Sequence, residues 1–188
     1  MTPHGLVAKS PLEGVDLADG IVELAFLAQI NLRANSASVD MFKAVGSALG
    51  VLPSVIPNTF SAASDGQLHV VWLGPNEWLI VGARGTAANI EAALNNACAA
   101  DDAVSVVDVS ANRTTLSITG AAACAALERN CLVDLHPRKF VAGSCVQTLF
   151  ARTSVILLKM SDEPEYRLLV RSSLAAYIAS WFVDAIEV

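Results

Sequence analysis

Charge is scarce in this 188-residue chain. Only 16% of its residues are Asp, Glu, Lys or Arg, and the acids outnumber the bases by 18 to 12. The formal charge of −6 excludes nucleic acid as an expected partner, because non-specific binding to a polyanion rests on a basic surface that releases counterions. Long apolar runs are missing too: no stretch reaches the roughly 20 uninterrupted apolar residues of a bilayer span, so no membrane association is expected. The opening Met1 to Leu12 holds His4, Gly5, Lys9 and two prolines but no apolar segment of about 7 to 15 residues, which argues against a secretory signal. The expected location is the cytoplasm. Paired cysteines are also absent: Cys98, Cys124, Cys131 and Cys145 form no CxxC motif and read as small apolar thiols.

What is present is apolar surface. The chain is 54% hydrophobic with a mean hydropathy of +0.51, enough to offset chain entropy and exclude disorder. So little charge leaves few residues to solvate an exterior, and Trp72, Trp78, Trp181 and Phe182 are of the types enriched at interface cores. Alanine-rich helices would raise the hydrophobic count without any interface, so composition leaves both readings open.

After a polar arm running to about Gly20, the alternation from Phe26 to Arg33 predicts a strand. Asn35 to Ser38 offers helix caps before the stripe Met41, Phe42, Val45 and Leu49, which stops at Gly50. Leu68 to Leu73 and Glu77 to Val81 predict a hairpin about Gly74-Pro75-Asn76, and Ala87 to Ala100 a helix with Ile90 and Leu94 inward. The second half repeats the order. Strands over Val104 to Val109 and Thr114 to Thr119 flank a turn at Ser110 to Arg113, and Gly120 opens a helix over Ala121 to Asn130. Val146 to Phe150 and Ser154 to Met160 predict a hairpin, Tyr166 to Val170 a strand, and Ser172 a cap for a final helix. In that helix Leu174, Tyr177, Ile178, Trp181, Phe182, Ala185 and Ile186 form a core stripe.

This order predicts an α+β fold of two ferredoxin-like, split βαβ units, with mostly antiparallel sheets and helices packed on them. The expected organisation is an arm over 1–20 and a single compact body over 21–188, with structural halves near 21–102 and 103–188.

Catalytic equipment is sparse. Cys124, Cys131, His136 and Cys145 match no zinc spacing. His69 and His136 have no nucleophile-elbow serine in the sequence, and Gly82-Ala83-Arg84-Gly85 lacks both the dinucleotide and the Walker fingerprints. Asp108, Ser110 and Arg113 form a polar group that reads better as a local backbone turn than as a site. No catalytic, cofactor-binding or metal-ligating residue is expected in this chain.

Three stretches carry a resemblance: Trp72-Leu73-Gly74-Pro75-Asn76-Glu77-Trp78-Leu79, Val107-Asp108-Val109-Ser110 running to Arg113, and Cys131-Leu132-Val133-Asp134-Leu135-His136-Pro137-Arg138. With Gly143, Gln147-Thr148-Leu149 and Tyr166 to Ser172, they resemble the gamma subunit of heterotetrameric bacterial sarcosine oxidase over nearly everything after about Phe26. More distantly, Val107 to Gly120 is similar to the start of the aminomethyltransferase (T-protein) fold. The strand that carries paired aspartates in that fold reads Ser154-Val-Ile-Leu-Leu-Lys-Met160 here.

The resemblance implies a non-catalytic assembly subunit of a flavin-dependent amine oxidoreductase acting on a CH–NH group. That complex demethylates sarcosine to glycine in sarcosine catabolism and one-carbon metabolism. It further implies alpha, beta and delta partner subunits, with FAD, FMN, NAD, tetrahydrofolate and zinc held by those partners and none by this chain. Under this reading the expected contact residues are His136, Pro137 and Arg138, with Trp72 and Trp78 on the aromatic hairpin. The alternative is a stand-alone folate-binding, aminomethyltransferase-like domain, which a deep pocket with a carboxylate would favour over a flat apolar surface.

Overall fold

The computed structural model describes residues 7–99 and 103–187. Alternating apolar side chains build two five-stranded sheets in which every described strand pairing is antiparallel. The first contains β2 (Ala28–Arg33), β3 (Phe60–Ala62), β4 (His69–Gly74), β5 (Glu77–Gly82) and β6 (Ser105–Asp108), in the order β3-β4-β5-β2-β6. The second contains β1 (Ile21–Leu24), β7 (Arg113–Thr119), β8 (Cys145–Phe150), β9 (Thr153–Lys159) and β10 (Glu165–Arg171), in the order β8-β9-β10-β7-β1.

The two orders are equivalent position by position. In the first unit α1 (Val39–Leu49) follows β2 and α2 (Ala87–Ala97) joins β5 to β6; in the second, α3 (Ala121–Asn130) follows β7 and α4 (Ala175–Glu187) follows β10. The strand that would come after α4 is instead β1, drawn from before the first unit and paired with β7 from Ile21 opposite Ile118 to Leu24 opposite Thr115. The α+β fold with two split βαβ units is therefore present, with one strand exchanged in sequence order. The strands either side of the 110–113 turn likewise part company: β6 joins the first sheet and β7 the second.

Strand parity separates three apolar layers. Ile30, Leu32, Val70, Trp78 and Ile80 pack under α1 and α2 with Met41, Val45, Ile90 and Leu94. Leu116, Ile118, Leu157, Leu168 and Val170 pack under α3 and α4 with Leu127, Ile178 and Phe182. Between the sheets lie Val71, Leu79, Val81, Cys145, Ile156, Leu158 and Leu169. The result is a four-layer sandwich with a helix pair on each outer face.

Local chemistry sets the helix ends. The Ser38 hydroxyl accepts the Met41 N–H at 3.2 Å, and Gly50 closes α1 at φ 70°, a backbone region that favours glycine. At Gly82 a Cβ would sit 2.6 Å from Ile90 Cδ1, so the missing side chain permits α2 to lie against the sheet. Two expectations are corrected in the last helix. Ser172 opens a 3₁₀ turn and donates its hydroxyl to the Ala111 carbonyl at 3.1 Å instead of capping α4. The stripe is also narrower than expected: Ile178 and Phe182 are buried, whereas Leu174, Tyr177 and Trp181 are each more than a third exposed. A seven-residue stripe wraps further round the helix than one sheet can cover, so its flank faces outward.

Candidate functional site

The layer between the sheets is apolar at its centre and polar at one end. Strand register places Arg171 of β10 directly opposite Arg113 of β7, which sets two like charges side by side. Across the gap, Glu77 of β5 is already engaged: Arg33 approaches its Oε1 at 3.3 Å, and Asn31 Nδ2 donates to the same oxygen at 2.8 Å. Arg171 Nη1 donates to Asn112 Oδ1 at 3.3 Å, a neutral acceptor. The half-buried Arg113 guanidinium makes no hydrogen bond or ion pair with any described residue. Burial, and secondly the neighbouring Arg171, push its pKa below the usual arginine value, and the Glu77 carboxylate across the gap opposes them in part.

Two open clefts meet at this point. One, of about 460 Å³, is lined by Arg113, Arg171, Gln147 and Ser154 with Leu132, Leu149 and Ile156. The other, of about 380 Å³, shares Arg113 and Gln147 and reaches Asn31, Arg33 and Glu77. Gln147 Nε2 donates to the Leu73 carbonyl at 2.8 Å and so ties the two sheets together beside the arginines.

The contact residues expected from sequence divide. His136, Pro137 and Arg138 form an exposed tip held between the buried anchors Leu135 and Phe140. The tip is ordered by local hydrogen bonds: the His136 N–H donates to Asp134 Oδ1 at 3.0 Å, the Arg138 N–H to His136 Nδ1 at 3.2 Å, and the Phe140 N–H to the His136 carbonyl at 3.0 Å. Trp72 is half-buried, and Trp78 is a correction. It is fully buried beneath α1, edge-on to Phe42, with its indole N–H donating to the Ser54 carbonyl at 2.8 Å. Trp72 and Trp78 are cross-strand partners, so the face they share is the one the helices cover.

The remaining polar motifs resolve locally. Asp108 Oδ1 accepts both the Ser110 N–H at 2.9 Å and its hydroxyl at 2.5 Å, leaving Arg113 apart from them. Arg84 lies over the Phe26 ring at 4.7 Å. Cys124 Sγ donates to the Pro164 carbonyl at 3.3 Å, while Cys145 Sγ lies between the sheets and donates to the Thr59 carbonyl at 3.2 Å. Cys124, Cys131, His136 and Cys145 are thus not brought together, and among the described residues no group of three metal-type ligands is. His69 is buried beside Arg167, with 3.5 Å between its Nδ1 and Arg167 Nη1; burial first, then that arginine, lower its pKa to about 4.

The model of the sarcosine oxidase gamma subunit family matches residues 33–187. The chain belongs to that family. It is 34% identical over 168 residues to sarcosine oxidase subunit gamma of Corynebacterium sp. (strain P-1), covering 88% of this chain and 78% of the relative. The corresponding subunit of Arthrobacter sp. is 33% identical over 166 residues, with 87% and 77% covered. A chain of the heterotetrameric sarcosine oxidase from Corynebacterium sp. U-96, solved in complex with pyrrole 2-carboxylate, superposes with a TM-score of 0.83 at 28% identity, over 97% of this chain and 96% of that one. The glycine cleavage system aminomethyltransferase T of Bartonella henselae superposes with a TM-score of 0.65 at 15% identity, over 87% of this chain and 45% of that one, and shares the fold alone.

In this gamma subunit family member, sequence reasoning singled out Arg113 only as part of a turn, and it missed Arg171 and Gln147 as site residues. Their signal is positional. Residues 113 and 171 become neighbours only through the β7–β10 register. No helix among the described residues is long and apolar enough to cross a membrane.

Proposed function

We propose that this chain is the non-catalytic assembly subunit of a heterotetrameric sarcosine oxidase, with alpha, beta and delta subunits as partners that hold FAD, FMN, NAD, tetrahydrofolate and zinc. The observation that carries the reading is the superposition on a chain of the Corynebacterium sp. U-96 heterotetramer over nearly the whole length of both chains. The surface supports it. Leu132 on the route to the His136 tip, Tyr177 and Trp181 on α4, and Leu52, Val55 and Ile56 after α1 are exposed apolar side chains of the kind a partner covers.

The folate-binding alternative receives less support. The cleft at Arg113 and Arg171 is open, and no carboxylate among the described residues lines it. The carboxylate of Glu77, at the second cleft, is held by Arg33 and Asn31. The deciding experiment co-expresses a tagged form of this chain with the other subunits. The expected result is recovery of a stoichiometric flavin-containing complex that oxidises sarcosine. An active complex of unchanged stability that forms without this chain would overturn the proposal.

A further inference from the structure

We propose that Arg113 and Arg171, at the polar end of the layer between the sheets, form a receptor for an organic carboxylate. Three independent observations converge on it. The two guanidiniums come from directly opposed positions of adjacent strands, an arrangement that is unfavourable unless something negative sits between or beside them. The Arg113 guanidinium makes no hydrogen bond or ion pair with another described residue; Glu77, the one carboxylate among the described residues lining the adjoining cleft, attracts it across the gap but already accepts from Arg33 and Asn31. The space beside the pair is a cleft of about 460 Å³, large enough for a small organic group.

The lining narrows the chemistry. Arginine presents a planar fork of donors that matches a carboxylate through two parallel hydrogen bonds. Gln147 and Ser154 add neutral hydrogen-bonding groups, and Leu132, Leu149 and Ile156 supply an apolar wall beside the charge. A bare inorganic anion has no use for that wall, whereas a carboxylate on an apolar body fills both parts. The carboxylate has two possible sources, a free small molecule or an acidic group on an assembled subunit. The site on this chain is the same for both, and it stands whether or not the assembly role holds.

The probe is benzoate, with benzamide as its neutral counterpart of equal shape, titrated into the full chain and followed at the arginine Nε–H signals by NMR. Benzoate is expected to shift the Arg113 and Arg171 signals saturably and benzamide to leave them in place. Arg113→Gln should weaken benzoate binding about tenfold or more, as expected for the loss of hydrogen bonds to a charged group. Arg171→Gln should weaken binding as well, and should raise the melting temperature of the unliganded chain by relieving repulsion. A merely structural arginine would instead lower that melting temperature on removal. In the assembled complex, loosened assembly of Arg113→Gln together with competition by benzoate assigns the carboxylate to a subunit; unchanged assembly with benzoate still bound assigns it to a free ligand. Equal responses to benzoate and benzamide, or benzoate affinity untouched by Arg113→Gln, overturn the proposal.

Discussion

Phe150 of β8 and Phe182 of α4 stack with ring centroids 4.7 Å apart and planes 21° from parallel, and neither has exposed surface. They join the final helix to an outer strand of the second sheet. Phe182→Ala is expected to lower stability by about 3 to 5 kcal/mol, because truncation leaves a cavity that the stacked ring cannot fill. The neighbouring Trp181→Ala should cost no more than about 1 kcal/mol, since that ring is more than a third exposed and touches Tyr177 on the helix surface. Urea denaturation of the two variants decides it: equal losses would mean that α4 is turned differently on the sheet.

Trp78 gives a second measurement. Trp78→Phe keeps an aromatic ring against Phe42 but removes the donor to the Ser54 carbonyl, and a loss of about 2 kcal/mol is expected. Because Trp78 is fully buried, any weakening of assembly should scale with lost stability. A fully stable Trp78→Phe chain that failed to assemble would contradict the buried position.

His69 makes stability depend on pH. In the folded chain it takes up a proton only near pH 4, whereas an unfolded histidine does so near 6.5. Between those values the unfolded state binds more protons, so stability is complete above about pH 6.5 and falls as the pH drops towards 4. The full contribution is about 3 kcal/mol. His69→Gln should flatten the stability profile over this window, as read by denaturant midpoints at stepped pH; an unchanged slope would mean that other groups carry it.

Arg138 tests the exposed tip. Its side chain is exposed, so Arg138→Ala should leave the melting temperature of the free chain almost unaltered. If the tip is an anchor, assembly should weaken by at least about 2 kcal/mol, some thirtyfold in affinity. Quantitative co-purification with the other subunits measures this, and wild-type recovery would exclude Arg138 as an anchor.

Much of the fold was legible because its signals are local. The bounds of α3 follow from Gly120 and the apolar run behind it, and the β4–β5 hairpin from a Gly-Pro-Asn turn between alternating strands. β1 and β3 escaped notice because four and three residues are too few for alternation to show. The exchange of β1 could not be read from sequence order, since that order places Ile21 beside β2 and not beside β7. The surface was misjudged where a residue type stood in for a direction. Trp78 looked like a contact residue and Trp181 like a core residue, and strand parity and helix rotation reverse both. The arginine pair was invisible for the same reason, as it exists only in the register of two distant strands.

The position of β1 has a consequence for synthesis. On the ribosome Ile21–Leu24 emerges before any other described strand, yet its partner β7 emerges only after the whole first unit. At ordinary elongation rates the delay is on the order of 5 to 20 seconds. During that time the first sheet can close on itself, while β1 waits as an open edge able to pair with a neighbouring nascent chain. A permuted gene that moved Ile21–Leu24 behind α4 would let each sheet close in a single pass, and the waiting edge would disappear.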